Sequence, residues 1–381
     1  MDFSYSEEHE MIRQTAREFA QDILAKTAAQ RDEDETFLFD ELKQLGELGF
    51  CGITIPEEYG GAGMDTISYM IALEEISKVD ASAGVVLSVT NSLAAYPIYK
   101  FGTEEQKKKY LVPLASGKLL GGYCLTEPSS GSDATNMHTT AVREGDHYIL
   151  NGSKNFITSG LSGDIFILTV FTDKSKGTKG TSTFIIEKDT PGLIWGAKEK
   201  KLGIRSSDTA SMILENCRIS AGKRLGEEGM GIKIALTALD SGRLGIAAQA
   251  LGIAQGAMEE AIKYSKERHQ FGKPICDFQA IQFKLADMET RIQASRLLIH
   301  KAASMKDQGV YYAKEAAIAK LYASETANFV AEEALQIHGG YGYTKDYPVE
   351  RMFRDARITE IYEGTSEIQR LVISRSLLNE Y

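Results

Sequence analysis

Cysteine, histidine and proline are scarce in this sequence of 381 residues, which contains 4, 6 and 7 of them respectively. No two cysteines form a CxxC pair, and no two histidines lie three or four residues apart. Neither residue type therefore shows the spacing of a zinc site or of a redox dithiol. We expect the cysteines to be buried thiols in a reducing compartment, and the sequence predicts no metal site.

Positive charge is also limited, because 43 Lys and Arg residues face 53 Asp and Glu residues, for a formal net charge of −10. This balance repels phosphate backbones and anionic membrane surfaces, so we expect no nucleic-acid partner. No apolar run approaches the roughly 18 residues of a membrane span, and the first residues match neither a signal peptide nor a transit peptide. We expect a cytoplasmic protein without a membrane span, although a processed mitochondrial matrix protein would have the same pattern.

The sequence does contain a helical pattern, then a β pattern, then a second helical pattern. We predict a helical domain over residues 1–120, a β domain over 121–228 and a helical bundle over 229–381. Ser6 is the predicted cap of the first helix, and the glycine-rich PEEYGGAG stretch is a predicted turn between helices. The Asn151-Gly152 pair predicts a two-residue hairpin turn. Long helices are predicted over 232–268, 278–306, 312–338 and 365–378.

Four segments combine residue types that suit chemistry, and each also has an ordinary structural explanation. Residues 123–133 are a Ser- and Gly-rich stretch that suits a polar ring or a diphosphate, or simply a turn. Residues 154–160 place an aromatic side chain and a hydroxyl on the same face of a strand, which suits a ring cofactor. Alternatively, the aromatic is simply part of the core. Residues 268–274 contain an arginine whose planar guanidinium could bind a phosphate. Alternatively, they form a solvated loop between helices. Residues 336–370 include Glu363, an acid that suits either a cleft or the start of a helix.

Taken in series, YCLTEPSSGSD, ITSG, ERHQFGKPI, QIHGGYGY and IYEGTSEIQ resemble the acyl-CoA dehydrogenase family over essentially the whole chain. The resemblance implies an α+β multidomain fold with an N-terminal all-α domain, a middle β-barrel-like domain and a C-terminal four-helix bundle. It also implies a homotetramer in which non-covalent FAD lies between barrel and bundle and is completed by a neighbouring subunit.

Site residues are carried over from the family at matching positions. Thr158 matches the hydroxyl that donates to flavin N5, and Phe156 stands where the family commonly has tryptophan. The remaining flavin-lining matches are Tyr123, Leu125, Thr126 and Ser132. Matches to residues that reach a neighbour's FAD are Arg268, Phe271, Gln279, Gln336 and Gly340, and matches to adenosine contacts are Thr365 and Glu367. Matches to substrate contacts are Asp240, Arg243, Ser132 and Gly364.

Glu363 matches the family's catalytic base, and the chemistry is consistent with that role. Removing an α-hydrogen from a thioester requires a carboxylate at the α-carbon and donors at the carbonyl oxygen, where charge develops. By analogy the donors are the Glu363 backbone N–H and a ribityl hydroxyl of FAD. Hydride transfer to flavin N5 then yields a trans-2-enoyl-CoA. We expect burial beside an acyl chain to raise the pKa of Glu363 toward neutrality.

Two glycines narrow the expected substrate. Gly242 stands where isovaleryl and long-chain types carry their base, and Gly84 stands where glutaryl types carry an arginine. The resemblance is therefore greatest to short-chain, butyryl-type members, which pass electrons to an electron-transferring flavoprotein. Branched-chain or alicyclic acyl-CoA substrates suit the same apparatus. A nitroalkane-oxidase-like flavoenzyme or a non-catalytic scaffold is disfavoured, because Glu363 and the flavin contacts are all present.

Overall fold

Ser6 caps the first helix, as the sequence predicts. In this computed structural model, which describes residues 4–380, the Ser6 hydroxyl accepts the His9 backbone N–H at 3.1 Å. The His9 ring nitrogen accepts the Ser6 N–H in return, at 3.3 Å. The cap thus satisfies two backbone donors at once, and it uses histidine where a glutamate is more common.

The N-terminal third consists of helices joined by turns and short loops. Its helices are α1 (Glu7–Phe19), α2 (Ala25–Asp34), α3 (Phe39–Glu47), α4 (Thr66–Ser77), α5 (Ala81–Ser88), α6 (Tyr96–Phe101), α7 (Glu104–Gln106) and α8 (Val112–Ala115). Wide π-helical turns continue three of them, at Ala20–Leu24, Val89–Ala95 and Lys107–Leu111. Short 3₁₀ turns occupy Phe50–Gly52 and Glu57–Tyr59, and the predicted glycine-rich turn follows the second.

The helical run Ala81–Phe101 differs from what the sequence suggested. It is 21 residues long and contains an 18-residue stretch with a mean hydropathy of 1.2, which is long and apolar enough to cross a membrane by length and composition. However, 94% of that stretch is buried inside the protein. Its apolar character is therefore accounted for by its position in the core.

An eight-stranded sheet forms the middle of the chain. Its strands are β1 (Gly121–Cys124), β2 (Thr140–Glu144), β3 (His147–Thr158), β4 (Ile165–Phe171), β5 (Thr181–Glu187), β6 (Leu193–Lys198), β7 (Thr209–Ser220) and β8 (Arg224–Leu225). Seven of them run in the order β6-β7-β3-β2-β4-β5-β8, and β1 pairs with β4. The β1–β4 and β2–β4 pairs are parallel and the others are antiparallel.

The predicted hairpin turn at Asn151-Gly152 is wrong. Both residues lie inside β3, and the turn between β2 and β3 is made by Gly145 and Asp146. Gly152 has φ +141°, and the β3–β7 register shifts beside it, which marks a bulge. A Cβ at Gly152 would lie 2.6 Å from Thr139 Oγ1. The glycine is therefore needed for a close approach of two segments, and the turn lies elsewhere.

The C-terminal part is a helical bundle centred on one long helix. Its elements are α9 (Gly231–Glu267), a short ribbon of β9 (His269–Gln270) and β10 (Lys273–Pro274), α10 (Gln279–Asp307), α11 (Ala313–His338), α12 (Val349–Ile358) and α13 (Ser366–Glu380). The four predicted long helices are present, while α12, which follows Pro348, was not predicted. Helix α9 contacts α10, α11, α4 and α5, so the two helical parts share one apolar core. A second core lies within the sheet.

The cysteine prediction is correct for three residues and wrong for one. Cys51, Cys124 and Cys217 are buried, and burial raises the pKa of each thiol. Cys276 is half-buried, because it lies in the surface turn that precedes α10. Within residues 4–380, no group of three or more His, Cys, Asp or Glu side chains could hold a metal ion.

Candidate active site

Glu363 lies in the loop between α12 and α13, in an unusual backbone conformation. Its φ is +51°, and that of the following Gly364 is +93°. Left-handed backbone is uncommon for residues other than glycine and carries strain, which proteins tend to retain where geometry serves function. The turn directs the Glu363 side chain into the interior, as expected for an acid that does not lie along a helix face.

The Glu363 carboxylate is buried and has no hydrogen-bond partner. Neither of its oxygens is solvent-accessible, and neither accepts a hydrogen bond from any residue in the described range 4–380. Burial raises the pKa of Glu363 to about 7, against the positive charges of Lys320 and Arg243, which lower it. The side chain is therefore partly ionised at neutral pH, as a general base should be.

Gly242 on α9 provides the space for this carboxylate. A Cβ built on Gly242 would lie 2.0 Å from Glu363 Oε2 and 3.0 Å from Leu93 Cδ2. Any larger residue there would displace the carboxylate or the leucine. Gly242 has no side chain that could act as a base, and the same lack of a side chain makes room for Glu363.

Two buried side chains hold the Glu363 loop, and the sequence analysis identified neither. Lys320 Nζ donates to the Gly364 carbonyl at 2.7 Å. Gln369 Nε2 donates to the same carbonyl at 2.9 Å and to the Glu363 carbonyl at 3.2 Å. Lys320 could have been found, because it interrupts a buried stripe of alanines at helical spacing. That stripe comprises Ala316, Ala323 and Ala327.

Three of the four predicted substrate-binding residues lie near Glu363. Gly364 is in the same loop, and the charge of Arg243 acts on the Glu363 carboxyl. Arg243 also donates to Asp240 Oδ1 at 2.6 Å. Burial raises the pKa of Asp240, against the opposing charge of Arg243. Ser132, the fourth, lies in the exposed part of the loop between β1 and β2.

The loop after β1 is fastened to β3 by a buried ion pair. Lys154 Nζ lies 2.8 Å from Glu127 Oε1 and donates to the Leu125 carbonyl at 3.0 Å. The Asn155 N–H donates to the Thr126 carbonyl at 2.7 Å. Burial tends to raise the pKa of Glu127, but Lys154 and backbone donors outweigh it and hold the pKa below its usual value. The two segments predicted to line a flavin are thus one rigid unit.

This unit presents a surface that suits a flavin. The predicted residues Leu125, Thr126 and Thr158 are half-buried, while Phe156 is 63% exposed at a positive φ of +57°. An open aromatic face beside hydroxyl side chains suits a flat, polar ring. The Tyr123 hydroxyl is buried without a hydrogen-bond partner in the described part of the chain. Burial raises the pKa of Tyr123, and the charge of Glu363 adds to this effect, so the surface formed by these two segments lies near the acid.

The remaining predicted residues divide into two groups. Thr365 and Glu367 lie at the start of α13, directly after the Glu363 loop, and the Thr365 hydroxyl accepts the Ile368 N–H at 3.3 Å. The others lie at the ends of α9, α10 and α11, where Arg268 is 5.9 Å from the ring centre of Tyr341. All are exposed, and Phe271 is 94% exposed. These exposed residues are Arg268, Phe271, Gln279, Gln336 and Gly340.

Comparisons with known proteins cover the whole chain. The family models for the acyl-CoA dehydrogenase N-terminal, middle and C-terminal domains match residues 6–118, 122–217 and 229–378. The chain is 53% identical over 374 residues to a short-chain specific acyl-CoA dehydrogenase of Clostridium acetobutylicum. The match covers 98% of this chain and 99% of that protein.

Solved structures also match this chain over nearly its whole length. The chain matches butyryl-CoA dehydrogenase from Megasphaera elsdenii with a TM-score of 0.98 and 48% identity, over 99% of this chain and 100% of that one. It also matches a chain from a structure described as the electron transferring flavoprotein of Acidaminococcus fermentans. That match has a TM-score of 0.98 and 53% identity, over 99% of this chain and 100% of that one.

Proposed function

This chain belongs to the acyl-CoA dehydrogenase family, FAD-dependent enzymes that act on CH–CH groups, and we propose that it oxidises a short-chain acyl-CoA to the trans-2-enoyl-CoA. The observation that carries the proposal is the Glu363 carboxylate, which is buried and unpaired beside Gly242. An acid held in this way has no structural partner to satisfy, so it is available for a proton from substrate.

Glu363 removes the proton from the α-carbon of the thioester. Burial disfavours the charged carboxylate, and a pKa of about 7 makes it basic enough to accept a proton and still ionised in a useful fraction. The Glu363 N–H is the proposed donor to the thioester carbonyl, where negative charge develops. Asp240, Arg243 and Gly364 bind the rest of the substrate at the same end of α9.

The loop after β1 and the bulged end of β3 bind the cofactor. FAD supplies the acceptor for the hydride that leaves the β-carbon. Thr126 and Thr158 would hold its ring through their hydroxyls, and the exposed Phe156 would supply an aromatic contact to it. Arg268, Phe271, Gln279, Gln336 and Gly340 reach the cofactor of a neighbouring subunit in a homotetramer, which accounts for their exposure in a single chain.

Gly242, Gly84 and the named relatives support a short-chain acyl-CoA as the substrate. With Gly242 in place of a side chain, Glu363 is the base available at this site. A Cβ at Gly84 would lie 2.1 Å from Ser77 Oγ, so an arginine there, of the kind that would pair a distal carboxylate, would require Ser77 to move. The relatives named short-chain specific and butyryl-CoA dehydrogenase favour a short acyl group. A branched-chain or alicyclic acyl-CoA is the alternative.

Electrons pass from the enzyme to an electron-transferring flavoprotein. This part of the proposal is supported by the structural similarity to a chain described with such a flavoprotein. For its location we propose the cytoplasm, with the mitochondrial matrix as the alternative; the long apolar helix Ala81–Phe101 is buried in the core and so does not indicate a membrane span.

Anaerobic titration of the FAD-loaded protein with acyl-CoAs of different length and branching tests the proposal. Butyryl-CoA should bleach the flavin absorbance at close to one equivalent per chain. Bleaching by octanoyl-CoA or a cyclohexane carboxyl thioester, with none by butyryl-CoA, would replace the short-chain assignment. A protein that binds no FAD would overturn the proposal as a whole.

A further inference from the structure

Lys320 is one of the most deeply buried charged residues of the chain. It lies in the middle of α11, its side chain is 0% exposed, and its ammonium donates to the Gly364 carbonyl at 2.7 Å. Within residues 4–380 it forms no ion pair with a carboxylate. A buried lysine is costly to a fold unless its charge is compensated, so its position calls for an explanation.

The Gly364 carbonyl ties Lys320 to the loop that contains the acid. Gly364 is the second of two successive left-handed residues, and its carbonyl accepts from both Lys320 and Gln369. Fixing this peptide group fixes the turn before it, and hence the direction of the Glu363 side chain and of its N–H. Lys320 therefore acts on the position of the acid through the backbone.

The Lys320 charge also acts on the acid directly. The charged or ionisable side chains that face Glu363 are Lys320 from α11, Arg243 from α9, Tyr69 from α4, Tyr123 from β1 and Tyr362 from its own loop. Only the first two are cationic, and both lower the pKa of Glu363, with Lys320 having the larger effect.

The two cations differ in what compensates them. Arg243 is already paired with Asp240, whereas Lys320 has only a neutral carbonyl as its hydrogen-bond partner. The acids whose charges act on Lys320 are Glu363, Glu360 and Glu367, and Arg243 opposes them. Burial lowers the pKa of Lys320 to about 8, so it remains largely protonated at neutral pH.

We propose that Lys320 is a positioning residue for the reaction, which holds the Glu363–Gly364 turn through the Gly364 carbonyl and keeps the unpaired Glu363 carboxylate ionised through its own positive charge. This inference rests on the proposed function, in which Glu363 is the base. It assigns Lys320 an effect on the pH dependence of the chemical step, which a purely structural lysine would not have.

The experiment compares Lys320→Met with Gln369→Leu in the FAD-loaded protein. Each variant loses one hydrogen bond to the Gly364 carbonyl, and Gln369→Leu also loses the longer one to the Glu363 carbonyl, but only Lys320→Met loses a charge. The limiting rate of flavin reduction by butyryl-CoA is measured anaerobically from pH 6 to 9, with FAD content checked in parallel. In Lys320→Met the acidic limb should move to higher pH, with a rate about tenfold lower at pH 7 that recovers toward pH 9. Gln369→Leu should be slower at all pH values without a shifted limb.

Lys320→Gln, which keeps a donor without the charge, provides a second variant in case the methionine variant does not fold. An unshifted limb in the Lys320 variants, or failure of both to fold, assigns Lys320 to stability alone and overturns the inference. Glu363→Gln in the same assay tests the role of Glu363 as the base separately from the role of Lys320. Normal flavin reduction by that variant would remove the proposed base, whereas an inactive Glu363→Gln with a normal Lys320→Met profile would remove only the role of Lys320.

Discussion

Two buried lysines lie beside two buried glutamates in this protein, and the pairs are arranged differently. In the sheet, Lys154 lies 2.8 Å from Glu127, whose carboxylate also accepts the Thr139 N–H at 3.1 Å. In the bundle, Lys320 donates to a backbone carbonyl and the Glu363 carboxylate has no donor in the described residues. The pKa of Glu127 is lowered, while that of Glu363 is raised to about 7.

The contrast between the two sites shows that a buried lysine and glutamate can either stabilise the fold or form a reactive site. A carboxylate surrounded by donors is held charged, and its hydrogen bonds fasten one segment to another. A carboxylate with a cation nearby but no donor keeps its lone pairs available and its proton affinity high. The unpaired arrangement is destabilising in itself, so it persists where function requires it.

The largest effect should come from Glu363→Gln. The change preserves volume and removes the basic carboxylate, so FAD and acyl-CoA should bind while flavin reduction falls by at least about 10⁴-fold. Glu367 lies on α13 and is exposed, so it should not substitute for the base. Anaerobic stopped-flow measurement with butyryl-CoA tests this prediction. Near-normal bleaching would show that the base lies elsewhere.

Glu127→Gln should test the paired site by its effect on stability. Lys154 would keep a buried charge without its partner, and the loss should be about 3–5 kcal/mol in urea unfolding, together with weaker FAD binding. The double variant Glu127→Gln/Lys154→Met should recover part of this loss, because no charge is left unpaired. Glu104→Gln, which breaks an exposed ion pair with Lys107, is the control and should change stability little. Equal losses in the two glutamine variants would contradict the prediction.

Glu363→Gln should have the opposite effect on stability. Because the folded pKa of Glu363 is raised from 4.5 to about 7, the stability it confers is present below pH 4.5 and is lost as the pH rises through 7. The glutamine variant, which does not ionise, should therefore be up to about 3 kcal/mol more stable than the wild type at pH 8. Urea unfolding at pH 5 and pH 8 measures the difference, which should shrink at the lower pH. A less stable variant at pH 8 would show that the carboxylate is compensated after all.

Gly242→Ala should have the smallest effect of the four. The new methyl group would meet Glu363 Oε2, and a small displacement of the base should slow flavin reduction by about tenfold to a hundredfold. FAD content should not change. The control is Gly245→Ala, one turn along the same helix, where the methyl group would meet the Ser88 hydroxyl. A rate loss in the control as large as in Gly242→Ala would assign the effect to helix packing.

Much of the fold could be predicted from the sequence, because long helices leave a period that short segments do not. The spacing of apolar residues predicts α9, α10, α11 and α13 to within a few residues. It does not predict α12, because this helix has only 10 residues and most of those outside its single buried face are polar. The Asn-Gly pair was misassigned because the bulge found here and a two-residue hairpin turn both place a glycine at positive φ, and sequence alone does not distinguish them.

The candidate site was predicted less completely than the fold. Glu363 and the flavin segments were selected as candidates by their motifs, but the groups that hold them in the structure are far apart from them in sequence. Lys320 is 44 residues from Gly364, and Lys154 is 27 residues from Glu127. Contacts at such separations depend on tertiary packing, which local patterns do not encode. The bulges in β3 also break the alternation that would have marked Lys154 as buried.

The buried helical run Ala81–Phe101 has a consequence for how the chain is synthesised. Part of its cover comes from α9, where Gln249 donates to the Ala81 carbonyl across 168 residues of sequence. At ribosomal rates of roughly 5–20 residues per second, that distance takes on the order of ten seconds to translate. During this interval the nascent chain exposes its most apolar helix to other chains and to chaperones. Fragments that end before α9 should therefore aggregate, even though they contain complete N-terminal and middle segments.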